Sequence, residues 1–122
     1  MANILLIEDD EQLSQILVTR LTEAQYHVDL AFEGEQGLWM LSQNQYDLIL
    51  LDLDLPGIGG LEVLAKIKGK EQSQHVPVFI LTNKDNDADL NKAKQLGANQ
   101  YLIKANYNLD DILRIVQQML NK

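Results

Sequence analysis

The chain has 122 residues, of which 46% are hydrophobic and 23% are charged, so it can fold as one domain with its own core. It contains no cysteine, which excludes disulfides and thiolate metal sites. Its net charge of -8 repels phosphodiester backbones, and its first apolar segment, residues 4–7, is too short for a signal peptide or a membrane span. We therefore expect a cytoplasmic domain that binds neither nucleic acid nor membranes directly.

Short apolar runs alternate with longer segments in which apolar residues recur every three or four positions. In chain order, the predicted strands (β) and helices (α) are β1 at residues 4–7, α1 at 13–21, β2 at 28–32, α2 at 35–43, β3 at 48–51, α3 at 61–67, β4 at 76–81, α4 at 88–96, β5 at 101–103 and α5 at 109–119. This alternation is typical of an α/β domain with a parallel sheet, and β2, which is not apolar throughout, is expected at an edge. We predict one domain over residues 1–122, with Asn108 and Asp111 as the N-cap and third residue of α5.

Most of the predicted strands are followed by polar or charged residues. The carboxyl ends of parallel strands lie at one edge of a sheet, where open α/β folds place their ligand crevice. The residues at these ends are Glu8, Asp9 and Asp10 after β1, Asp52 and Asp54 after β3, Thr82 after β4, and Lys104 after β5. Carboxylates from β1 and β3 could share one cation if those strands are neighbours, since parallel strands lie about 4.8 Å apart.

Oxygen ligands without cysteine or a histidine cluster favour a hard cation, and Mg2+ suits a few carboxylates. Asp52 could then act as a nucleophile and form an acyl phosphate, with Lys104 and Thr82 stabilising the charge on the transferring oxygens. Each part has another explanation when taken singly. The acids after β1 would more often cap a helix, Thr82 would be a strand-end hydroxyl and Lys104 a surface charge. The hypothesis therefore depends on their combination.

Four segments resemble motifs of the receiver domains of response regulators: ILLIEDD at residues 4–10, DLILLDLDLPG at 47–57, VFILT at 78–82 and YLIK at 101–104. They occur in the family's order and span nearly the whole chain. The resemblance implies a flavodoxin-like three-layer sandwich with strand order 2-1-3-4-5. It also implies a two-component phosphorelay, in which a sensor histidine kinase or phosphotransfer protein phosphorylates this chain. Such a chain catalyses only its own phosphorylation and dephosphorylation, so it is a switch rather than an enzyme.

The resemblance implies roles for the acidic residues. Asp52 matches the phosphoacceptor, Asp9 a direct Mg2+ ligand, and Glu8 an acid that reaches the ion mainly through water. Asp54 matches the position whose backbone carbonyl binds the metal. Asp10 has no ligand role in the family pattern, and we expect it to cap α1.

A second group of residues matches the family's switch. Thr82 corresponds to the hydroxyl that turns toward the phosphoryl group, Lys104 to its ion-pair partner, and Tyr101 to the aromatic residue whose rotamer follows the switch. Phosphorylation would then change the surface formed by α4, β5 and α5. The resemblance also places Asp54 and Lys84 at positions that tune hydrolysis, and we expect a salt bridge between them.

The chain departs from the family pattern in two places. Receivers usually have proline after the lysine, commonly through a cis bond, whereas Ala105 follows Lys104 here. A cis bond before another residue costs about 3–4 kcal/mol, so we predict a trans bond, a reshaped loop and a lysine that still reaches the site. One subfamily forms homodimers through α4, β5 and α5 with an acidic pair that Asn99 and Gln100 replace here. A homodimer of this kind would lack those charges.

Two alternatives belong to other functional classes. A haloacid dehalogenase-like phosphatase would use Asp52 as nucleophile and Asp54 as acid and base, since an Asp-Leu-Asp sequence after an apolar strand resembles its motif. Such enzymes usually carry that motif near the N-terminus, and turnover of a generic phosphatase substrate discriminates the two functions. The other alternative is a receiver-like interaction module that is independent of phosphorylation, which only Ala105 favours.

Overall fold

The computed structural model describes residues 1–83 and 86–121. Its elements are β1 (Asn3–Ile7), α1 (Glu11–Glu23), β2 (His27–Ala31), α2 (Gly34–Gln43), β3 (Leu48–Asp52), α3 (Gly60–Lys68), β4 (Val78–Thr82), α4 (Asp87–Leu96), β5 (Gln100–Ile103) and α5 (Leu109–Leu120). A 3-10 turn, Lys104–Asn106, follows β5. The predicted order of strands and helices is confirmed. Within the described residues, no helix combines the length and the apolar content needed to cross a bilayer.

The strands form one parallel sheet in the order β2-β1-β3-β4-β5. This confirms the predicted strand order and the position of β2 at an edge. The chain adds β2 on one side of β1 and then crosses to the other side for β3, where Leu6 pairs with Leu50. The carboxyl ends of β1 and β3 are therefore neighbours at the point where the strand order reverses, which is where α/β sheets bind ligands.

The central strands supply apolar side chains to both faces of the sheet. β3 and β4 bury all of their side chains, and successive side chains point to opposite faces. On one face, Leu51 belongs to a core that includes Leu64 of α3, and α2 and α4 pack on the same core. On the other face, Leu50 belongs to a core that includes Leu17 of α1 and Ile112 of α5. Helices thus cover both faces, which confirms the three-layer sandwich.

Several strand boundaries differ from the prediction by one or two residues, and at two of them the strand is shorter than predicted. β4 begins at Val78 rather than at residue 76, because Pro77 has no N–H to donate, although its carbonyl accepts the N–H of Ile49 at 3.0 Å. β2 ends one residue earlier than predicted, and Phe32 is 45% exposed and donates its N–H to the side chain of Gln36 at 2.9 Å. An apolar residue at a strand end does not by itself extend the strand.

Both predicted helix caps are confirmed. The side chain of Asp10 accepts the N–H of Leu13 at 3.1 Å and caps α1. The side chain of Asn108 accepts the N–H of Asp111 at 2.8 Å, and the Asp111 carboxylate accepts the N–H of Asn108 at 3.0 Å. This reciprocal pair is a capping box. The two caps fix α1 and α5 shortly after the residues that β1 and β5 deliver to the carboxyl edge of the sheet.

α3 begins close beneath the end of β3. Gly60, its first residue, donates its N–H to the carbonyl of Leu53 at 3.2 Å. A Cβ atom at Gly60 would lie 2.4 Å from Leu53 Cα and 2.6 Å from the carbonyl oxygen of Asp52. Both are backbone atoms, so they could make room for a Cβ atom only if the strand end moved. The absence of a side chain at Gly60 therefore allows α3 to approach the strand end that carries Asp52.

Gly60→Ser should lower the free energy of unfolding by about 1–3 kcal/mol, because added atoms in a filled space displace the backbone. Gly59→Ser is the matched control, since Gly59 is the N-cap of α3 and a Cβ atom there meets nothing within 4 Å. Serine is also favoured at an N-cap. Urea unfolding followed by circular dichroism measures both variants. Equal stability of the two would contradict the close approach of α3 to the strand end.

Candidate functional site

Four strands deliver polar side chains to the carboxyl edge of the sheet. Asp52 and Thr82 are the last residues of β3 and β4, while Glu8 directly follows β1 and Lys104 directly follows β5. Glu8, Asp52 and Thr82 are 0%, 3% and 0% exposed. Their charges and hydrogen bonds are therefore shielded from water, which strengthens their interactions with one another.

Glu8, Asp9 and Asp52 form a carboxylate cluster, in which one oxygen of each residue lies within 4.8 Å of the others. Asp9 is exposed and the other two are buried, so the cluster opens to solvent on the Asp9 side. Backbone N–H groups hold both buried carboxylates. The N–H of Asp10 donates to Glu8 Oε2 at 3.2 Å, and the N–H of Asp54 donates to Asp52 Oδ1 at 2.9 Å. The start of α1 and the loop after β3 thus orient the cluster.

The ammonium group of Lys104 bridges the two buried carboxylates. Its Nζ atom lies 2.8 Å from Glu8 Oε1 and 3.4 Å from Asp52 Oδ2. The described residues contain no cis peptide bond, so the bond between Lys104 and Ala105 is trans. The following residues turn into a 3-10 conformation, and the lysine still reaches the site. The predictions of a trans bond and of a lysine that reaches the site are confirmed, and the reshaped loop stays a prediction.

Burial and crowding shift the protonation equilibria of the site. Burial, together with a hydrogen bond and the charge of Asp52, raises the pKa of Glu8 to about 7, and Lys104 offsets part of the rise. Burial acts to lower the pKa of Lys104. The hydrogen bond with Glu8 and the charges of Asp52 and Glu8 outweigh that effect, so the pKa of Lys104 is raised. A charged lysine therefore lies beside a glutamate that gains or loses its proton near neutral pH.

The donor atoms of the carboxylate cluster fit a hard divalent cation. The three residues offer only oxygen atoms, which are the ligands that Mg2+ and similar ions prefer. A positive ion would also favour the ionised form of Glu8, because an opposite charge at close range lowers the pKa of a carboxyl group. Asp54 lies beside Asp52 through its N–H, and its role as a carbonyl ligand stays a prediction.

The predicted switch residues lie on β4 and β5. The hydroxyl of Thr82 is buried and donates to Asp54 Oδ2 at 3.5 Å. Sequence reasoning missed this contact, because it depends on the directions in which two side chains leave adjacent strand ends. Tyr101 on β5 is partly buried and packs against the core beneath α3 and α4. Lys84, the predicted salt-bridge partner of Asp54, lies outside the described residues.

Both histidines lie away from the carboxylate cluster. His27 begins β2 and contacts Asp29 at 3.1 Å, and the Asp29 carboxylate also accepts the hydroxyl of Tyr46 at 2.6 Å. His75 and Asp47 line a cavity of about 540 Å³ at the amino edge of the sheet, opposite the cluster. Neither histidine therefore belongs to the carboxylate cluster of Glu8, Asp9 and Asp52.

The chain is similar in sequence to response regulators. The sequence model of the response regulator receiver domain family matches residues 4–117. Response regulator ArlR of Staphylococcus haemolyticus (strain JCSC1435) and that of Staphylococcus aureus (strain Mu50 / ATCC 700699) are each 35% identical to this chain over 122 residues. The matched region is 100% of this chain and 54% of each relative. The chain therefore spans about half the length of the curated relatives it matches.

Solved structures of response regulators share the fold. Chemotaxis response regulator CheY4 of Vibrio cholerae is 26% identical with a TM-score of 0.90, and the match covers 98% of this chain and 99% of that chain. Response regulator TrrA of Thermotoga maritima, solved in complex with Mg2+-BeF, is 30% identical with a TM-score of 0.86 and coverages of 98% and 100%. The flavodoxin-like class predicted from the sequence is confirmed.

Without a divalent cation, the titration of Glu8 should make the stability of the protein depend on pH. The pKa of Glu8 is about 7 in the folded chain against 4.5 for the free group, so its contribution to stability is complete below pH 4.5 and disappears as the pH rises through 7. Glu8→Gln lacks this dependence. Between pH 5 and pH 8, the free energy of unfolding of Glu8→Gln should therefore rise by about 2 kcal/mol relative to wild type.

Urea unfolding in EDTA at the two pH values measures this difference. Glu11→Gln, which removes an exposed negative charge from the start of α1, controls for the loss of charge. If the stability difference between wild type and Glu8→Gln is the same at both pH values, Glu8 does not take up a proton on folding and the account of its burial is wrong.

Proposed function

The chain belongs to the response regulator receiver domain family, and we propose that residues 1–122 form a phosphoacceptor domain of a two-component phosphorelay. In this proposal Asp52 takes a phosphoryl group in a Mg2+-dependent reaction. The observation that carries the proposal is the meeting of Asp52 with Glu8, Asp9 and Lys104 at one edge of the sheet. A nucleophile, a set of oxygen ligands and a fixed cation are the parts that phosphoryl transfer to a carboxylate requires.

The proposed ligands of Mg2+ are Asp9, Asp52 and the backbone carbonyl of Asp54, with Glu8 reaching the ion mainly through water. When bound, the ion neutralises part of the negative charge of the carboxylates and of the incoming phosphoryl oxygens. Glu8 enters this arrangement ionised and releases to solvent any proton that it holds. The relative from Thermotoga maritima that was solved with Mg2+-BeF supports the choice of metal.

Asp52 is the proposed nucleophile, and its orientation is set before the donor arrives. The N–H of Asp54 holds Oδ1, while Oδ2 faces the ammonium group of Lys104 at 3.4 Å. A carboxylate oxygen of Asp52 attacks the phosphorus atom of a phosphohistidine, and a new P–O bond forms. The bond from phosphorus to the imidazole nitrogen breaks, and its electron pair stays with the imidazole. Lys104 and the hydroxyl of Thr82 stabilise the negative charge on the phosphoryl oxygens.

Thr82 connects the phosphoryl group to the rest of the domain. Its hydroxyl bonds to the Asp54 carboxylate over a long 3.5 Å, and a phosphoryl group on Asp52 would offer it a strong charged acceptor. The hydroxyl then turns toward that group, and Tyr101 changes rotamer in response. This bias on an existing two-state equilibrium would change the surface formed by α4, β5 and α5.

The proposed partners are a sensor histidine kinase or a phosphotransfer protein, and the proposed location is the cytoplasm. We favour a monomer over a homodimer that forms through α4, β5 and α5. Arg114 pairs with Asp111 of its own helix at 2.5 Å, and the side-chain oxygen of Asn99 accepts the N–H of Val78 at 3.0 Å. These groups are therefore engaged within the chain, and the net charge of -8 disfavours direct contact with nucleic acid.

The two alternative functions receive no support from the family match. A haloacid dehalogenase-like phosphatase would use Asp52 and Asp54. The family model that matches residues 4–117 describes receiver domains instead. An interaction module independent of phosphorylation would have no need of a lysine held between Glu8 and Asp52. Modification is limited to the chain's own Asp52, so the domain acts as a signalling switch rather than as a multiple-turnover enzyme.

Acetyl phosphate with Mg2+ should add the mass of one phosphoryl group to the intact chain. EDTA and Asp52→Asn should each abolish the gain, because one removes the cation and the other the nucleophile. Asp47→Asn, at the amino edge of the sheet, is the matched control and should be phosphorylated like wild type. Intact-mass spectrometry measures all four reactions. If neither acetyl phosphate nor a phosphorylated histidine kinase adds mass to wild type, the proposed function is wrong.

A further inference from the structure

Lys104 lies in a short segment between two fixed points. Upstream, Ile103 pairs with Thr82 in the sheet. Downstream, Asn108 begins the capping box of α5. The four residues between these points are Lys-Ala-Asn-Tyr, so Tyr107 carries the only large apolar side chain of the segment. The conformation of the segment decides where the ammonium group of Lys104 lies.

Tyr107 joins this segment to the body of the protein. Its N–H donates to the carbonyl of Lys104 at 3.4 Å and closes the 3-10 turn. Its side chain is partly buried and packs against the core that contains Leu81 and Ile112. Ala105 and Asn106 are exposed. Tyr107 is therefore the residue of the segment whose apolar side chain anchors the turn to the core.

A surface cavity lies beside the side chain of Lys104. Its volume is about 470 Å³, and both Lys104 and Tyr107 line it, together with Leu13 and Ile112. Because this space is not filled by protein, the aliphatic stem of Lys104 gains no packing there. The side chain is 14% exposed, and the backbone turn that Tyr107 closes and the bonds to Glu8 and Asp52 contribute to its position.

We propose that Tyr107 is a positioning residue, whose packing on the core holds the turn of residues 104–106 so that Lys104 Nζ contacts both Glu8 and Asp52. The inference rests on the proposed function, since it assigns Tyr107 to the support of the lysine that stabilises the phosphoryl oxygens. The aromatic ring is the part that matters, and Tyr107→Phe keeps it. Truncation leaves the turn without its anchor and lets the ammonium group move away from the carboxylates.

The first test compares rates of phosphorylation by acetyl phosphate at saturating Mg2+. Tyr107→Ala should slow the reaction at least about tenfold, since small displacements of a charge-stabilising group are costly, and Tyr107→Phe should restore the rate to within about twofold of wild type. In a Lys104→Gln background, Tyr107→Ala should have no further effect, because Tyr107 acts through Lys104. Met119→Ala is the matched control, as Met119 packs on the same core near the other end of α5.

The second test needs no phosphodonor. The side-chain titration of Lys104 is followed by NMR of 13C-labelled lysine in EDTA, with the signal assigned from its absence in Lys104→Gln. Tyr107→Ala should lower the pKa of Lys104, because the ammonium group loses contact with Glu8 and Asp52, whereas Met119→Ala and Tyr107→Phe should leave it as in wild type. If Tyr107→Ala is unfolded by circular dichroism, Tyr107→Leu takes its place.

The outcomes separate the two proposals. An unchanged Lys104 titration in the truncated variant overturns the positioning role of Tyr107, whether or not wild type accepts a phosphoryl group. An equal loss of rate in the wild-type and Lys104→Gln backgrounds overturns it as well. A shifted titration in a protein that no donor phosphorylates would support the positioning role and reject the proposed function.

Discussion

The carboxylates of Glu8 and Asp52 are buried close together, and the ammonium group of Lys104 offsets their repulsion through contacts of 2.8 and 3.4 Å. Charged groups are costly to bury unless they are paired and hydrogen-bonded. Pairing with one lysine is incomplete, which is why burial and the neighbouring Asp52 leave the pKa of Glu8 near 7. A site with excess negative charge and one open side is receptive to a cation. The excess negative charge that lowers the stability of the protein therefore also makes the site suitable for binding and chemistry.

Backbone atoms hold the charged groups of the site in place. The strand order places the ends of β1 and β3 side by side, and one N–H from each following segment holds a carboxylate oxygen of Glu8 or Asp52. Gly60 allows α3 to begin directly beneath the end of β3. The capping box of α5 and the anchorage of Tyr107 define where Lys104 can reach. Asp52, the proposed nucleophile, and Lys104 are thus oriented before any partner binds, which would reduce the cost of reaching the transition state of the proposed reaction.

The sequence predicted the fold well, because buried parallel strands and amphipathic helices have different apolar periods. It also located Glu8, Asp52, Thr82 and Lys104 at one edge, since the residue after a parallel strand must lie there. The errors concern local hydrogen bonding, as at Pro77, where an apolar run does not reveal a missing donor. Contacts that depend on side-chain direction, such as Thr82 with Asp54, were beyond the reach of sequence patterns.

In the proposed reaction, Asp52 itself forms the acyl phosphate. Sodium borohydride reduces an acyl phosphate to a primary alcohol, which converts the modified aspartate into homoserine and leaves free carboxylates unchanged. The direct measurement is peptide mapping by tandem mass spectrometry after phosphorylation and borohydride treatment. We expect homoserine at position 52 and at no other acidic position. Homoserine at position 9 or 54, or its absence from a chain that has gained a phosphoryl group, would contradict the proposed reaction.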